Sequence, residues 1–180
     1  MMKNHKIIIS GPPGSGKTSI INALKNKGYL VQNELHPGKI NKESDKLELS
    51  NYLFSKRIKQ YHDKTIIKSN KHNIKLTYEH PLIFFDRSII DVIAYLNMWK
   101  IKFPIKMNTA IKKYNYNKNI FYTPCWKKIY KTTPHRPENY ENSIKIDIFL
   151  RNAYIEFNYN IIEVPKLDVN KRVDFIINNL

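Results

Sequence analysis

The sequence predicts an α/β fold, a three-layer α/β/α sandwich with a five-stranded parallel sheet. Short runs of consecutive apolar residues alternate along the chain with longer segments that have helical periodicity. This order is typical of βαβ units, in which helices cover both faces of a parallel sheet. Right-handed crossovers would then place helices on either side of the sheet. The predicted strands are Lys6–Ser10, Tyr29–Asn33, Leu82–Asp86, Asn119–Thr123 and Asn160–Val164.

The helices are predicted from apolar residues at helical spacing and from residues that favour helix ends. Gly28 is placed to end the first helix, and Asp168 is placed to cap the last one. The apolar periodicity is weakest in residues 103–118, which we nevertheless assign to a helix. The predicted helices are Lys17–Lys27, Glu43–Lys68, Ser88–Lys100, Phe103–Lys118, Glu138–Tyr159 and Val169–Asn179.

Length and composition favour one cytoplasmic domain spanning residues 1–180. A chain of 180 residues suits a single core. No apolar stretch approaches the roughly 20 residues that cross a membrane, so we expect no membrane partner. The single cysteine, Cys125, excludes an internal disulfide and is interpreted as a packing residue.

The net charge of +16 has two interpretations. It arises from 31 Lys and Arg against 15 Asp and Glu, which would suit an anionic partner. The chain is also rich in Lys, Asn, Ile and Tyr, as expected of an AT-rich genome, and no run of five basic residues occurs. We favour the compositional interpretation and, because no nucleic-acid-binding motif is present, expect no nucleic-acid partner.

A phosphate-binding loop is predicted between the first strand and the first helix. The segment fits the pattern G-x-x-x-x-G-K-[ST] in strand–loop–helix context. Three of the chain's 5 glycines lie in it, and glycines let backbone amides surround a phosphate. Lys17 would reach the β- and γ-phosphates and Thr18 would bind Mg²⁺, so we predict ATP, with GTP as the alternative, as the ligand. The predicted ligand-binding residues are Gly11, Pro12, Pro13, Gly14, Ser15, Gly16, Lys17 and Thr18.

Three charged residues lie at the carboxyl ends of predicted strands, where open α/β sheets bind ligands. Asp86 ends the third strand and is expected to bind Mg²⁺ and to act in catalysis. Capping of the following helix is the alternative for Asp86. Arg87 would bind a phosphate or hydroxyl of the substrate. Glu34, just past the second strand, either holds the acceptor or is an ordinary loop carboxylate.

A basic segment over residues 125–140 is a candidate lid. It is rich in Pro, Lys and Thr, and it contains Arg136, which we predict to be an arginine finger that stabilises the transferred phosphoryl group. A solvated basic loop is the alternative. For Arg151, on the next helix, an exposed position is favoured over contact with phosphate.

The motifs Gly11–Thr18 and Phe84–Ser88 together resemble the nucleoside and nucleotide kinase group of P-loop proteins. That resemblance implies that Asp86 is the catalytic base and that Arg87 binds substrate. Nearly the whole chain resembles the AAA_28-type predicted ATPases, related to the nicotinamide riboside kinase domain, including Tyr122–Trp126 and Thr133–Asn139. The resemblance also implies that residues 164–168 lie against the nucleobase.

Three functions follow as hypotheses. The first is a phosphotransferase that moves the γ-phosphate of ATP to an unidentified small acceptor of nucleoside or nucleotide type, with Lys17, Asp86 and Arg136 as catalytic residues. The second is an ATPase or GTPase that switches a partner. The third, binding of nucleic acid through charge alone, has the least support. No guanine-specific N-K-x-D motif occurs, since Asn170-Lys171 is followed by Arg172-Val173, which favours ATP.

Overall fold

A five-stranded, wholly parallel sheet forms the centre of the molecule. The structure is a computed structural model that describes residues 4–35, 45–63, 81–132 and 139–180. Its strands lie in the order β2-β3-β1-β4-β5. The predicted sheet is confirmed, with every strand end within one residue of its predicted position. The strands are β1 (Lys6–Ser10), β2 (Leu30–Gln32), β3 (Ile83–Asp86), β4 (Asn119–Tyr122) and β5 (Asn160–Glu163).

Helices cover both faces of this sheet. The described residues contain six α-helices and a 3₁₀ turn at Lys127–Ile129. No helix within the described ranges is long and apolar enough to cross a membrane. The helices are α1 (Lys17–Asn26), α2 (Lys46–His62), α3 (Ile89–Met98), α4 (Ile105–Lys113), α5 (Tyr140–Glu156) and α6 (Val169–Asn178).

Successive side chains of each central strand pack into two separate hydrophobic cores, because they point alternately to the two faces of the sheet. Ile8 and Phe85 pack with α2, α3, α4 and α5 on one face. Ile7, Ile9 and Phe84 pack with α1 and α6 on the other. The three-layer sandwich predicted from the uninterrupted apolar runs is therefore confirmed.

Two helices end earlier than predicted because the chain turns left-handed behind them. Asn158 has φ of 58° and follows α5, which ends at Glu156 rather than Tyr159. Lys100 also has φ of 58°, and α3 ends at Met98. Left-handed residues commonly terminate helices, and Asn tolerates that conformation better than most side chains.

The prediction for α4 was too long. α4 spans Ile105–Lys113 instead of residues 103–118. Beyond it, the Asn117 side chain accepts a hydrogen bond from the Asn119 amide at 2.9 Å, a local bond that competes with helix. α2 begins behind the cap Asp45 and ends at His62, while the predicted residues 43–44 and 64–68 lie outside the described residues.

The carboxyl ends of β1, β3 and β4 meet at one edge of the sheet. Ile9 is paired with Asp86, and Ser10 with Tyr122. The Arg87 amide donates to the Ile9 carbonyl oxygen at 3.0 Å, which extends the β1–β3 register by one bond. This edge therefore collects the residues that the sequence singled out around Asp86.

Candidate functional site

The loop Gly11–Thr18 joins β1 to α1 and leaves the start of that helix open. Side chains cap the beginnings of α2, α3, α5 and α6, whereas Gly16 precedes α1 and offers none. The first amides of a helix have no partner within it and carry the positive end of the helix dipole. They are therefore available to an anion. The predicted strand–loop–helix arrangement is confirmed.

Glycine is required at two positions of the loop because other chain segments press against it. A Cβ on Gly11 would lie 2.2 Å from the Thr123 carbonyl oxygen, beyond the end of β4. A Cβ on Gly16 would lie 2.6 Å from Nη1 of Arg172, on α6, and φ there is 86°. Any side chain at Gly11 would displace backbone, so the glycine pattern reflects packing as well as ligand approach.

Hydroxyl groups fix the loop from several sides. The Ser15 hydroxyl donates to the Pro12 carbonyl oxygen at 2.8 Å and lies 2.6 Å from the Thr123 hydroxyl. The Ser143 hydroxyl, on α5, donates to the Pro13 carbonyl oxygen at 2.9 Å. These bonds engage carbonyl oxygens of the loop, not its amides.

Lys17 is folded into the loop. Its side chain is 5% exposed, and its Nζ donates to the Pro12 carbonyl oxygen at 2.8 Å. Burial lowers the pKa of Lys17 to about 7; the charge of Arg87 adds to that effect, and the charge of Asp86 opposes it. Nζ also lies 3.4 Å from the Ser15 hydroxyl, but both acceptors are neutral, so an anionic phosphate would be a better partner for the buried ammonium.

Asp86 is a buried carboxylate with unused bonding capacity. Its Oδ1 is buried and lacks a hydrogen-bond partner, and burial raises its pKa, against the opposing charge of Lys17. Its carbonyl oxygen accepts from Nη1 of Arg57 at 3.0 Å. The alternative of Asp86 as a helix cap is wrong, because Ser88 caps α3. Thr18, the other predicted Mg²⁺ ligand, is exposed.

Arg87 and Glu34 form an ion pair. Nε of Arg87 donates to Oε1 of Glu34 at 2.7 Å. Burial raises the pKa of Glu34, but the charges of Arg87 and Lys17 outweigh burial and hold that pKa at about 2. Arg87 itself has φ of 71°, an uncommon conformation that turns its side chain at the strand end. The two residues predicted to bind the acceptor are thus in direct contact.

Sequence reasoning missed Asp91, which lies beneath this pair. It is 2% exposed and accepts from the Ser10 hydroxyl at 2.7 Å and the Ser88 amide at 2.7 Å. Nη1 of Arg87 lies 3.5 Å from its Oδ1. Burial raises the pKa of Asp91, but the charges of Arg87 and Arg57, together with hydrogen bonds from Tyr154 and Ser10, outweigh burial and lower that pKa. The capping-box spacing from Ser88 to Asp91 was the signal that would have found it.

The beginning of the candidate lid lies on the phosphate-binding loop. A Cβ on Gly14 would come within 2.4 Å of the Tyr130 ring, and one on Gly16 within 3.2 Å of Ile129. The Tyr130 hydroxyl donates to the Asn139 carbonyl oxygen at 3.1 Å. Arg136, the predicted arginine finger, lies outside the described residues, so its role stays a prediction.

Arg151 is engaged away from the loop. Its Nε lies 3.0 Å from Oδ2 of Asp147, and its Nη2 lies 2.6 Å from Oε2 of Glu163. The side chain is 29% exposed, so the expectation of an exposed arginine is wrong: two carboxylates hold it against the surface.

Burial raises the pKa of the Cys125 thiol, which makes that thiol a poor nucleophile.

A glycine-rich loop between a buried strand and an uncapped helix, with a buried lysine at the carboxyl edge of a parallel sheet, defines a P-loop protein. The chain belongs to the AAA_28 family of AAA domains, whose model matches residues 6–172. The resemblance drawn from the motifs is thereby confirmed. No curated protein sequence matches the chain.

Solved structures with the same fold include several nucleotide kinases. Deoxyadenosine kinase from M. mycoides with bound dATP is 20% identical, with TM-score 0.56, over 97% of both chains. Thymidylate kinase from Ehrlichia chaffeensis is 14% identical, with TM-score 0.59, over 97% of both chains. Thymidylate kinase from Candida albicans is 13% identical, with TM-score 0.62, over 98% of this chain and 91% of that one. The chain therefore shares its fold with nucleoside and nucleotide kinases.

Proposed function

We propose that this protein is a phosphotransferase that moves the γ-phosphate of ATP to a hydroxyl group of a small, nucleoside-type acceptor. One observation carries the proposal: the Glu34–Arg87 ion pair lies at the same sheet edge as Lys17 and Asp86. A triphosphate site and an acceptor site would then adjoin. Binding of dATP by the deoxyadenosine kinase of the same fold supports a nucleotide ligand.

The triphosphate would bind through loop amides and Lys17. The open start of α1 provides N–H donors, and Nζ of Lys17 would exchange the Pro12 carbonyl oxygen for phosphate oxygens. That exchange replaces a neutral acceptor by an anionic one in a buried site, where charge-assisted hydrogen bonds are strongest.

Mg²⁺ fits the residues at this edge. The ion is usually held by one or two protein oxygens, with phosphates and water completing its shell. The exposed Thr18 hydroxyl is an oxygen donor of that kind, and the unpartnered Oδ1 of Asp86 would contact the ion through a water of its shell, which leaves the carboxylate able to accept a proton. When bound, Mg²⁺ would neutralise charge on the transferred phosphoryl group. The described residues contain no cluster of three His, Cys, Asp or Glu side chains suited to a metal, and a phosphate-held ion requires none.

The acceptor group is proposed to be a hydroxyl because the acceptor side has no surplus positive charge. Three cations, Lys17, Arg57 and Arg87, face three carboxylates there, and Glu34 and Asp91 already occupy the Arg87 guanidinium. The ionised Glu34 would repel a phosphate acceptor, whereas it would accept a hydrogen bond from a hydroxyl.

Asp86 is proposed to remove the proton of that hydroxyl. Because burial raises its pKa while the pKa of Glu34 is about 2, Asp86 has the greater proton affinity. Glu34 would instead orient the hydroxyl from its fixed position on Arg87. Arg136 would complete the site by stabilising the transferred group, as predicted from the sequence.

The test is transfer from labelled ATP to a panel of nucleosides, nucleoside monophosphates and nicotinamide riboside. Wild-type protein should phosphorylate a nucleoside-type acceptor and leave the monophosphates unchanged. Asp86→Asn should bind ATP normally and lose about 100-fold or more in turnover, while Glu34→Gln should raise the KM of the acceptor.

Three outcomes would contradict parts of this account. Normal turnover of Asp86→Asn would overturn the assignment of the base. Transfer to monophosphates alone would overturn the hydroxyl acceptor. Slow phosphate release without any phosphorylated product would support the ATPase or GTPase switch instead.

A further inference from the structure

Arg172, on α6, is a buried arginine that contacts the phosphate-binding loop. Its side chain is 2% exposed, and its Nη2 donates to the Ser15 carbonyl oxygen at 2.9 Å. Its Nη1 lies 2.6 Å from the position that a Cβ on Gly16 would occupy. Its Nε is buried and has no hydrogen-bond partner. The guanidinium is therefore fixed against the loop with bonding capacity to spare.

This positive charge lacks a counter-ion within the described part of the chain. Arg87 and Arg151 each pair with two carboxylates, but Arg172 pairs with none. Burial is the cause that lowers its pKa. The Trp126 ring centroid lies 5.8 Å from its guanidinium carbon, a distance at which a cation–π contact is too weak to replace an anion. A buried, uncompensated cation is unfavourable until an anion binds nearby.

We propose that Arg172 is a positioning residue for the nucleotide phosphates and acts through the peptide group between Ser15 and Gly16. The Ser15 carbonyl and the Gly16 amide belong to one peptide unit. A charged donor on the carbonyl oxygen polarises that unit, so the Gly16 N–H becomes a stronger donor on the loop's inner side. The proposal rests on the nucleotide binding proposed above.

The contact between Arg172 and the loop would also attract the nucleotide phosphates over a longer distance. A positive charge held directly against the loop raises the potential at the anion site, in addition to Lys17 and the α1 dipole. Because the effect reaches the ligand through backbone and field, it should depend on the phosphates and not on the base. That dependence separates the proposal from stacking of Arg172 or Trp126 on a nucleobase.

The experiment compares Arg172→Gln with Lys171→Gln. Both variants remove one positive charge from neighbouring positions of α6, but the Lys171 side chain is 69% exposed and lies next to Asp168. Calorimetry would measure Kd for Mg²⁺-ATP and for Mg²⁺-tripolyphosphate. Arg172→Gln should weaken both ligands about tenfold or more, as expected for a bond to a charged group. Lys171→Gln should stay within about twofold of wild type, since exposed charges are screened.

A thermal-denaturation series separates positioning from a structural role. A merely structural arginine would lower the melting temperatures of the free and ligand-bound protein equally, leaving the ligand-induced shift unchanged. We expect that shift to shrink in Arg172→Gln and to recover in part in Arg172→Lys, which keeps the charge. Arg172→Met, whose apolar side chain suits a buried position, replaces Arg172→Gln if that variant does not fold.

Each remaining outcome has a defined meaning. An unchanged Kd or an unchanged ligand-induced shift in Arg172→Gln, with normal binding by wild type, would overturn this inference alone. Weakened binding of ATP with normal binding of tripolyphosphate would overturn it in favour of a nucleoside contact. Wild-type protein that binds neither ligand would overturn the nucleotide site and this inference together.

Discussion

At the scale of single residues, the burial of Lys17 in the loop predicts that nucleotide binding is coupled to proton uptake. Its pKa of about 7 in the free protein results first from burial. Phosphate oxygens around Nζ would favour the ammonium and raise that pKa. Binding of a nucleotide between about pH 7 and the ordinary lysine value of 10.5 should therefore take up a proton.

The expected uptake approaches one proton per nucleotide at about pH 8.5. Calorimetric titrations in buffers with different ionisation enthalpies measure it directly. Lys17→Arg, which keeps a permanent charge, is the matched control and should show no uptake from this position. Binding heats that do not depend on the buffer in wild type would contradict the pKa and the placement of Lys17 at the phosphates.

The positions of Lys17 and Asp86 in the fold were predictable because local patterns encode them. The loop motif placed Lys17 between a strand and a helix, and the apolar run before Asp86 placed that carboxylate at a strand end, while the roles of both residues stay predictions. Arg172 was missed because its contact with Ser15 spans 157 positions of sequence. Neither periodicity nor spacing reports such a contact, and an arginine on a helix ordinarily indicates an exposed face.

At the scale of elements, the start of α3 fixes the chain directly after the carboxyl end of β3. Ser88 and Asp91 form a capping box in which the Ser88 side chain accepts from the Ile90 amide at 3.1 Å and Asp91 accepts from the Ser88 amide. The Ser88 hydroxyl also lies 2.9 Å from the Tyr154 hydroxyl, on α5. One residue pair thus joins β3, α3 and α5 directly behind Arg87.

Ser88→Ala should lower the free energy of unfolding by about 1–2 kcal/mol, because it removes a helix cap and leaves a buried tyrosine hydroxyl with fewer partners. Denaturant unfolding measures the change. Thr109→Ala, on the exposed face of α4, removes a hydroxyl outside any cap and should stay within about 0.5 kcal/mol of wild type. Equal stabilities of wild type and Ser88→Ala would contradict the role of the cap.

Element types were predictable, whereas helix ends were not. Continuous apolar runs such as Leu82–Phe85 indicate strands covered on both faces, and five such runs were found. The ends of α3 and α5 depend on the left-handed residues Lys100 and Asn158. A lysine in that conformation carries no sequence signal, because lysine is common inside helices.

At the scale of the whole molecule, the sheet order brings the site together. β1 lies between β3 and β4, so the phosphate-binding loop adjoins Asp86 on one side and Thr123 on the other. Apolar periodicity predicts that strands exist but does not say which strands pair, since every central strand here carries the same kind of apolar residues. The order therefore followed from the structure and not from the sequence.

The net charge of +16 belongs to this scale as well. Much of the basic surface lies outside the site, and the charges around Lys17, Arg57 and Arg87 are matched locally by three carboxylates. Within the described residues, Arg172 is the buried arginine at the loop for which no carboxylate partner is found. The compositional interpretation of the overall charge and the expectation of no nucleic-acid partner stay predictions.

The most direct test of the account is a calorimetric titration of the full chain with Mg²⁺-ATP, with Lys17→Ala measured beside it. Wild type should bind one nucleotide saturably, and the variant should lose about 100-fold or more in affinity, because the loop would lose its buried ammonium. A wild-type chain that shows neither heat nor saturation, or a variant that binds as tightly as wild type, would contradict the claim that Gly11–Thr18 encloses the phosphates.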